Sequence, residues 1–219
     1  MFSWGSGSRA HPGWPARVGP LQLSAGEIAL RPIKLRDGAE WSDLRIRNER
    51  TLVPWEPTSD ADWAVRHHRG NWPTLYSVLK AEAKRGAVLP FVIEVDGRYV
   101  GQLTIGSIQR GAVRSAWIGY WVDDAWTGRG IATAAVALGV DHAFGPVGLH
   151  RLEATVQPAN AASRAVLEHI GFRHEGLLQR YMDVDGRWRD HDLFALTTEE
   201  IMHTTAVENL VRAGRARFR

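Results

Sequence analysis

The stretch Gly128-Arg129-Gly130-Ile131-Ala132 carries the most legible chemistry in this chain of 219 residues. It joins an apolar strand, Ile118 to Val122, to a long small-residue helix, Ile131 to Phe144. Glycines at such a junction let main-chain N–H groups close around an anion, and the helix N-terminus adds unpaired donors and a partial positive charge. The chemistry is phosphate binding through the amides of Arg129, Gly130, Ile131, Ala132 and Thr133. A P-loop needs GxxxxGK[ST], and no Lys follows Gly130; a dinucleotide loop needs a third glycine where Thr133 stands. Both usual nucleotide readings lose ground, while a tight turn without a ligand also accommodates two glycines.

Downstream lie Asn160-Ala161-Ala162-Ser163, after a strand from Arg151 to Gln157, and Gly171-Phe172 after the next helix. Together these features resemble motifs A and B of the GNAT acetyltransferases. Within that family the chain looks most like the RimJ/RimL branch of ribosomal-protein-alanine N-acetyltransferases. Four segments carry the resemblance: NERTLVPWE (48–56), PFVIEVDGRYVG (90–101), IGYWVDDAWTGRGIA (118–132) and residues 149–194. It covers roughly residues 27–200, and it implies a GNAT fold with a mixed, mostly antiparallel sheet that splays at the acetyl-CoA site. The implied reaction is direct transfer of acetyl from acetyl-CoA to a protein N-terminal α-amine, with a ribosomal protein among the candidate acceptors.

The resemblance also assigns expectations to residues. The 128–133 loop holds the diphosphate, and Val122 at the strand end pairs through its backbone with the pantetheine arm. Thr127 stands where many members carry Arg or Gln, which leaves the amide cradle intact. Arg129 either meets a phosphate or faces solvent. Asn160 fits a helix cap, and the resemblance adds a role in holding cofactor or substrate. Ser163 matches a position that protonates the departing thiolate in RimL-like members.

The Tyr that many members use as general acid is Leu167 here, and a carboxylate used as base in some falls at Met182. Glu153, Glu56, Tyr181 and Asp183 remain as groups able to accept or relay a proton, and Glu153 also fits a strand anchor, so the base is unassigned. An α-amine has a pKa of roughly 7.7–8.0 against about 10.4 for Lys, a difference of about 3.4 kcal/mol in deprotonation. A site without a strong base therefore favours an α-amine. Trp55 and Glu56 are the first candidates for acceptor binding, because exposed aromatic and polar loop residues bind more often than they pack.

Composition narrows the class. The hydrophobic share of 44% and charged share of 23% are ordinary for one globular domain. There are no cysteines, which excludes a cysteinyl-acyl intermediate and thiolate metal sites. The nine histidines show no metal spacing, so no metal is expected. No apolar run reaches membrane-spanning length and the N-terminus lacks a signal-peptide core, so a cytoplasmic location is expected. The pI near 9.6 traces to Arg212, Arg215, Arg217 and Arg219 against Glu208, with 23 basic and 23 acidic groups elsewhere. This reads as a solvated basic tail, with no sequence-specific nucleic-acid contact. Monomer and homodimer are both compatible with the sequence. Two other classes stay open: an enzyme acylating a small-molecule amine, whose cleft would be rich in acids, and a non-catalytic acyl-CoA-binding or ribosome-associated module.

Punctuation places the supporting elements. Residues 1–20 read as a flexible lead-in in which Trp4 and Trp14 can dock, residues 21–200 as the catalytic domain, and 201–219 as a basic helix or tail. Ile28 to Pro32 reads as an edge strand, since Pro32 lacks an N–H for a ladder. Asp37 reads as a cap for a helix to about Arg50, followed by helices over 60–71 and 74–85. Hairpins are expected at Asp96-Gly97 and Asp185-Gly186. The alternation predicts an α/β sheet with helices on both faces.

Overall fold

The computed structural model describes residues 12–218. Nine strands form one sheet: β1 Val18–Leu23, β2 Gly26–Pro32, β3 Leu89–Val95, β4 Arg98–Gly106, β5 Ser115–Val122, β6 Arg151–Val156, β7 Arg173–Val184, β8 Arg187–Thr197 and β9 Arg217–Phe218. Their spatial order is β7-β8-β6-β5-β4-β3-β2-β1-β9. Every pairing is antiparallel except β5 with β6. The mixed, mostly antiparallel sheet expected from the sequence is what forms.

The helices are α1 Gly38–Arg47, α2 Glu49–Leu52, α3 Trp63–Arg66, α4 Trp72–Arg85, α5 Ile131–Phe144, α6 Ala161–Ile170 and α7 Ala206–Arg212. Strand β3 is buried along its whole length, and alternation sends its side chains into two cores. Phe91 and Ile93 join the larger core with α5, α6 and α7, whereas Val92 joins Trp41, Leu44, Trp72 and Tyr99 beneath α1 and α4. Helices therefore cover both faces. Ten of the fourteen residues of α5 are buried, so its Ala-rich sequence is that of a central helix packed directly on the strands.

Several expectations need correction. Strand β2 is internal, lying between β3 and β1. Pro32 is tolerated because β1 reaches back only to Leu30, leaving the missing N–H beyond the ladder. Asp37 does not cap α1 through its side chain. Its carboxylate instead accepts from Arg31 at 2.7 and 3.0 Å and from the Lys34 amide at 2.7 Å. The helix expected over 60–71 is the single turn α3 followed by a 3-10 turn. The chain bends at His67 so that its carbonyl accepts from Ser42 at 2.7 Å and its ring packs on Trp63.

The two termini are also more ordered than composition implies. Trp14 packs edge-on against Phe91 at 5.2 Å, and His142 bonds to the Gly13 carbonyl at 2.7 Å, so the lead-in is docked from residue 13 onward. Trp4 and Arg219 lie outside the described residues. The basic tail contains α7, whose Leu210 is buried in the larger core, and β9, which pairs with β1.

Candidate active site

Strands β5 and β6 pair only through Ser115–Arg151, Ala116–Leu152 and Trp117–Glu153. Beyond Trp117, β5 continues with β4 alone and β6 with β8 alone. The sheet therefore opens as a wedge toward the end of β5. A cleft of about 750 Å³ occupies the opening and reaches the first turn of α5. Both Tyr120 and Trp121 line it. Adjacent strand residues point to opposite faces, and Tyr120 sits with the α5 core while Trp121 sits with the α1 and α4 core. The cleft thus passes through the sheet, joining its two faces at the splay.

On the α5 face, the lining includes Val122, Gly128, Gly130, Ile131, Ala132 and Thr133. Gly128 and Gly130 adopt left-handed φ values of 72° and 76°. An added Cβ at either would meet nothing within 4 Å, so backbone conformation alone selects glycine there. Gly130 caps α5 without any side-chain hydrogen bond, and the first helical bond runs from Ala134 N to Gly130 O. The amides of the opening turn before Ala134 have no partner within the helix.

Asn160 and Ser163 line the same cleft. Asn160 Oδ1 accepts from Ser163 N at 3.1 Å, so the capping role exists. The Tyr120 hydroxyl lies 3.0 Å from Ser163 Oγ and donates to the Ser163 carbonyl at 3.2 Å. Burial pushes the Tyr120 phenol up to about 12, with the Ser163 contact acting in the opposite direction. Tyr120 keeps its proton across the physiological range. Leu167, at the position of the absent acid, is fully buried in the core. Tyr120 thus brings a phenol to the same helix from the strand opposite.

Across the sheet, Trp55 and Glu56 line the cleft together with Leu52. Glu56 is the one carboxylate among the described lining residues. Arg45 holds it at 2.8 Å and Arg66 at 3.6 Å. The Arg45 guanidinium is stacked over the rings of Trp63 and Trp121 at 4.9 and 5.2 Å. His67 Nε2 lies 3.1 Å from Arg45, and its Nδ1 lies 2.9 Å from the Trp63 carbonyl. A proton on Nδ1 satisfies that carbonyl and leaves Nε2 to accept from Arg45. Burial first, and the Arg45 charge second, lower His67 to about 4, so the ring is neutral at neutral pH.

The acceptor-side loop is fixed at three points. Asn48 is buried, and its side chain donates to Leu44 O at 2.8 Å and Asp123 Oδ1 at 2.9 Å while accepting from Asp124 N at 2.8 Å. Burial pushes Asp123 up, but hydrogen bonds from Arg47 and Asn48 outweigh it and hold the carboxyl below its ordinary range. Gln157, after β6, donates to the Pro54 carbonyl at 2.9 Å. Thr58 ties the loop to the far hairpin through Asp183 at 2.8 Å and Gly186 at 2.8 Å.

Four sequence candidates are not brought to the cleft; one of them, Asp183, accepts from Thr58 at 2.8 Å at the β7–β8 hairpin. Glu153 lies at the closed end of the wedge, where it accepts from Arg151 at 2.7 Å, so its strand-anchoring role prevails. Tyr181 is exposed on a bulge of β7 and packs edge-on against His191 at 5.5 Å. The Arg129 side chain lies over the Trp126 ring at 5.2 Å and does not line the cavity. Arg45, Leu210 and Gly214 carry no mark in the sequence, and Arg215 reads there only as part of a solvated basic tail. A buried Arg in a polar helix has no sequence mark, and the tail residues were masked by their basic neighbours. Among the described residues, no cluster of His, Cys, Asp or Glu is placed to hold a metal, and no helix is long and apolar enough to cross a membrane.

Comparison with known proteins agrees with this geometry. The profile of the acetyltransferase (GNAT) domain matches residues 27–173. A probable N-acetyltransferase of Bacillus subtilis, YjcK, is 45% identical over 174 residues, covering 80% of this chain and 96% of the relative. The [ribosomal protein uS5]-alanine N-acetyltransferase of Escherichia coli is 27% identical over 190 residues, covering 86% of this chain and 96% of the relative. A solved structure of Mycobacterium smegmatis RimJ in complex with CoA-disulfide is 58% identical, with a TM-score of 0.94 over 95% of this chain and all of that one. The splayed sheet, the open helix N-terminus and these matches place the chain in the GNAT family, as an N-acetyltransferase.

Proposed function

We propose that this enzyme takes acetyl-CoA on the α5 face of the sheet and transfers its acetyl group directly to the α-amine of a protein N-terminus arriving from the α1 face. The observation that carries this reading is the cleft passing through the wedge, lined by amides on one side and by Glu56 on the other. The M. smegmatis neighbour in complex with CoA-disulfide and the E. coli relative named for an alanine of uS5 support it.

On this reading the free amides of residues 129–133 hold the diphosphate, and the unpaired edge of β5 near Val122 pairs with the pantetheine arm. The amine nitrogen attacks the thioester carbonyl carbon, and a main-chain N–H at the strand end steadies the oxyanion. The C–S bond then breaks, leaving the CoA thiolate, which the Tyr120–Ser163 pair meets with hydrogen-bond donors. The proton shed by nitrogen passes to water in the cleft. Glu56, the one carboxylate among the described lining residues, offers an incoming α-ammonium an electrostatic attraction before attack.

Glu56 also borders a second hollow of about 250 Å³ lined by Pro57, Thr58, Trp63, Asp185 and Gly186. The residues after the acceptor's first would lie there. A polyamine or aminoglycoside acceptor calls for several cleft carboxylates, and the lining carries one that is already doubly paired. Incubation with acetyl-CoA and peptides of varied first residue, read by mass, tests the proposal. Addition of one acetyl to the α-amine is expected. Acetylation confined to an internal Lys or to free polyamines overturns it.

A further inference from the structure

We infer that the C-terminal segment completes the cofactor site at its nucleotide end, with Arg215 binding the 3′-phosphate of CoA. This rests on the acetyl-CoA reading above but concerns residues beyond the 27–173 span that the family profile matches.

The segment is built to hold a side chain in place. Helix α7 starts at the far end of α5, where the Asp141 carboxylate accepts from Ala206 N at 2.7 Å and Val207 N at 3.0 Å. Thr205 caps the same turn by accepting from Glu208 N at 3.0 Å. From there α7 runs back along α5, burying Ala206, Val207 and Leu210 in the larger core. By residues 210–215 the chain has reached the cleft beside the first turn of α5, since Leu210, Gly214 and Arg215 line it with Thr133 and His169. Gly214 turns the chain with a φ of 67°, and the Arg215 amide donates to Leu210 O at 3.0 Å. Ala216 is buried, and β9 then pairs with β1. Arg215 is therefore pinned on both sides.

Its charge has no internal use. Among the described residues the Arg215 guanidinium has no acidic partner, whereas Arg31, Arg45, Arg47, Arg151 and Arg173 each hold one. It is also the one Arg or Lys among the described residues lining the cleft. CoA brings three phosphates to this place. Two form the diphosphate, which main-chain amides at the opening of α5 suffice to bind. The third is a phosphomonoester on the ribose, carrying close to two charges at neutral pH. Amides alone do not neutralise it, and a guanidinium fork matches its oxygens in pairs.

Calorimetric titration of the whole chain with CoA and with 3′-dephospho-CoA tests the assignment, using wild type, Arg215→Ala and Arg215→Lys. Wild type is expected to prefer CoA by about tenfold or more, the scale of one charge-assisted pair. Arg215→Ala is expected to lose that factor for CoA while keeping the wild-type affinity for dephospho-CoA, and Arg215→Lys to recover part of it. Equal weakening of both ligands, or no change with either, overturns the assignment. Absence of binding of either ligand to wild type instead overturns the acetyl-CoA reading itself. The side chain is exposed, so the thermal midpoint of Arg215→Ala is expected to match wild type.

Discussion

Replacing Tyr120 with Phe removes one hydroxyl and leaves the ring, so it isolates what the phenol does for the leaving thiolate. The phenol sits at about 12, while a thiol such as that of CoA has a pKa of about 8.5. Handing its proton to the thiolate would run uphill by roughly 3.5 units, or about 4.8 kcal/mol at 1.36 kcal/mol per unit. A hydrogen bond to a charged group contributes about 1.5–3 kcal/mol without moving the proton. The second effect wins, so on the proposed mechanism Tyr120 and Ser163 steady the thiolate as donors and solvent protonates it later. Tyr120→Phe is therefore expected to lower kcat/KM about 10- to 100-fold, measured as thiol release with an N-terminal peptide at fixed pH. Ser163→Ala should fall in the same range. The double variant should lose less than the product of the two, since the groups are 3.0 Å apart and act together. Folding is expected to change little, because Ser163 keeps its Asn160 cap at 3.1 Å. Activity within twofold of wild type, or strictly multiplicative losses, would exclude a joint donor role for the two hydroxyls.

Gly130→Ala places a Cβ in open space, so its cost is the left-handed backbone alone, about 1–2 kcal/mol; calorimetry should show CoA affinity falling by roughly tenfold. Glu56→Gln keeps the shape but not the charge that Arg45 and Arg66 hold; it is expected to raise the acceptor KM in steady-state assays and leave the CoA Kd unchanged. His67, lowered to about 4 by burial and by Arg45, binds its proton in the unfolded chain near 6.5 and in the folded chain only near 4. Its contribution is fully present above pH 6.5 and is lost as the pH falls toward 4. The loss is on the order of 2–3 kcal/mol, read as the slope of urea-unfolding free energy against pH. A His67→Gln variant should flatten that slope.

What was legible in the sequence is what local chemistry decides. The bounds of α5 and α6 follow from glycine at 130 and Asn160 before them, and the hairpins from Asp-Gly pairs that adopt the required positive φ. Long-range pairing decided the rest. Strand β1 lies in the Gly- and Pro-containing segment VGPLQL, whose Leu21 and Leu23 are buried only because β2 and α5 come to them. Pro32 reads as an edge signal because the sequence does not show where a neighbouring strand ends. Arg45, in a helix that otherwise reads as polar, is buried only once Trp63 and Trp121 arrive from two other elements. Tyr120 was visible as a polar residue on a strand. Its meaning depended on the wedge, which no local pattern encodes.

The absence of a strong acid and a strong base becomes intelligible once the cleft's two sides are considered together. On the cofactor side the leaving thiolate is a weak base, so hydrogen bonds from Tyr120 and Ser163 suffice. On the acceptor side the one lining carboxylate among the described residues, Glu56, is already engaged by Arg45 and Arg66, so no unpaired carboxylate waits there for the amine's proton. An α-amine, near pH 7.7–8.0, supplies a sizeable neutral fraction unaided, whereas a Lys side chain leaves a deficit of about 3.4 kcal/mol. With its one described carboxylate already paired to two arginines, the cleft offers an incoming ammonium little help in losing its proton, and the proposed preference for chain termini follows because an α-amine needs the least help.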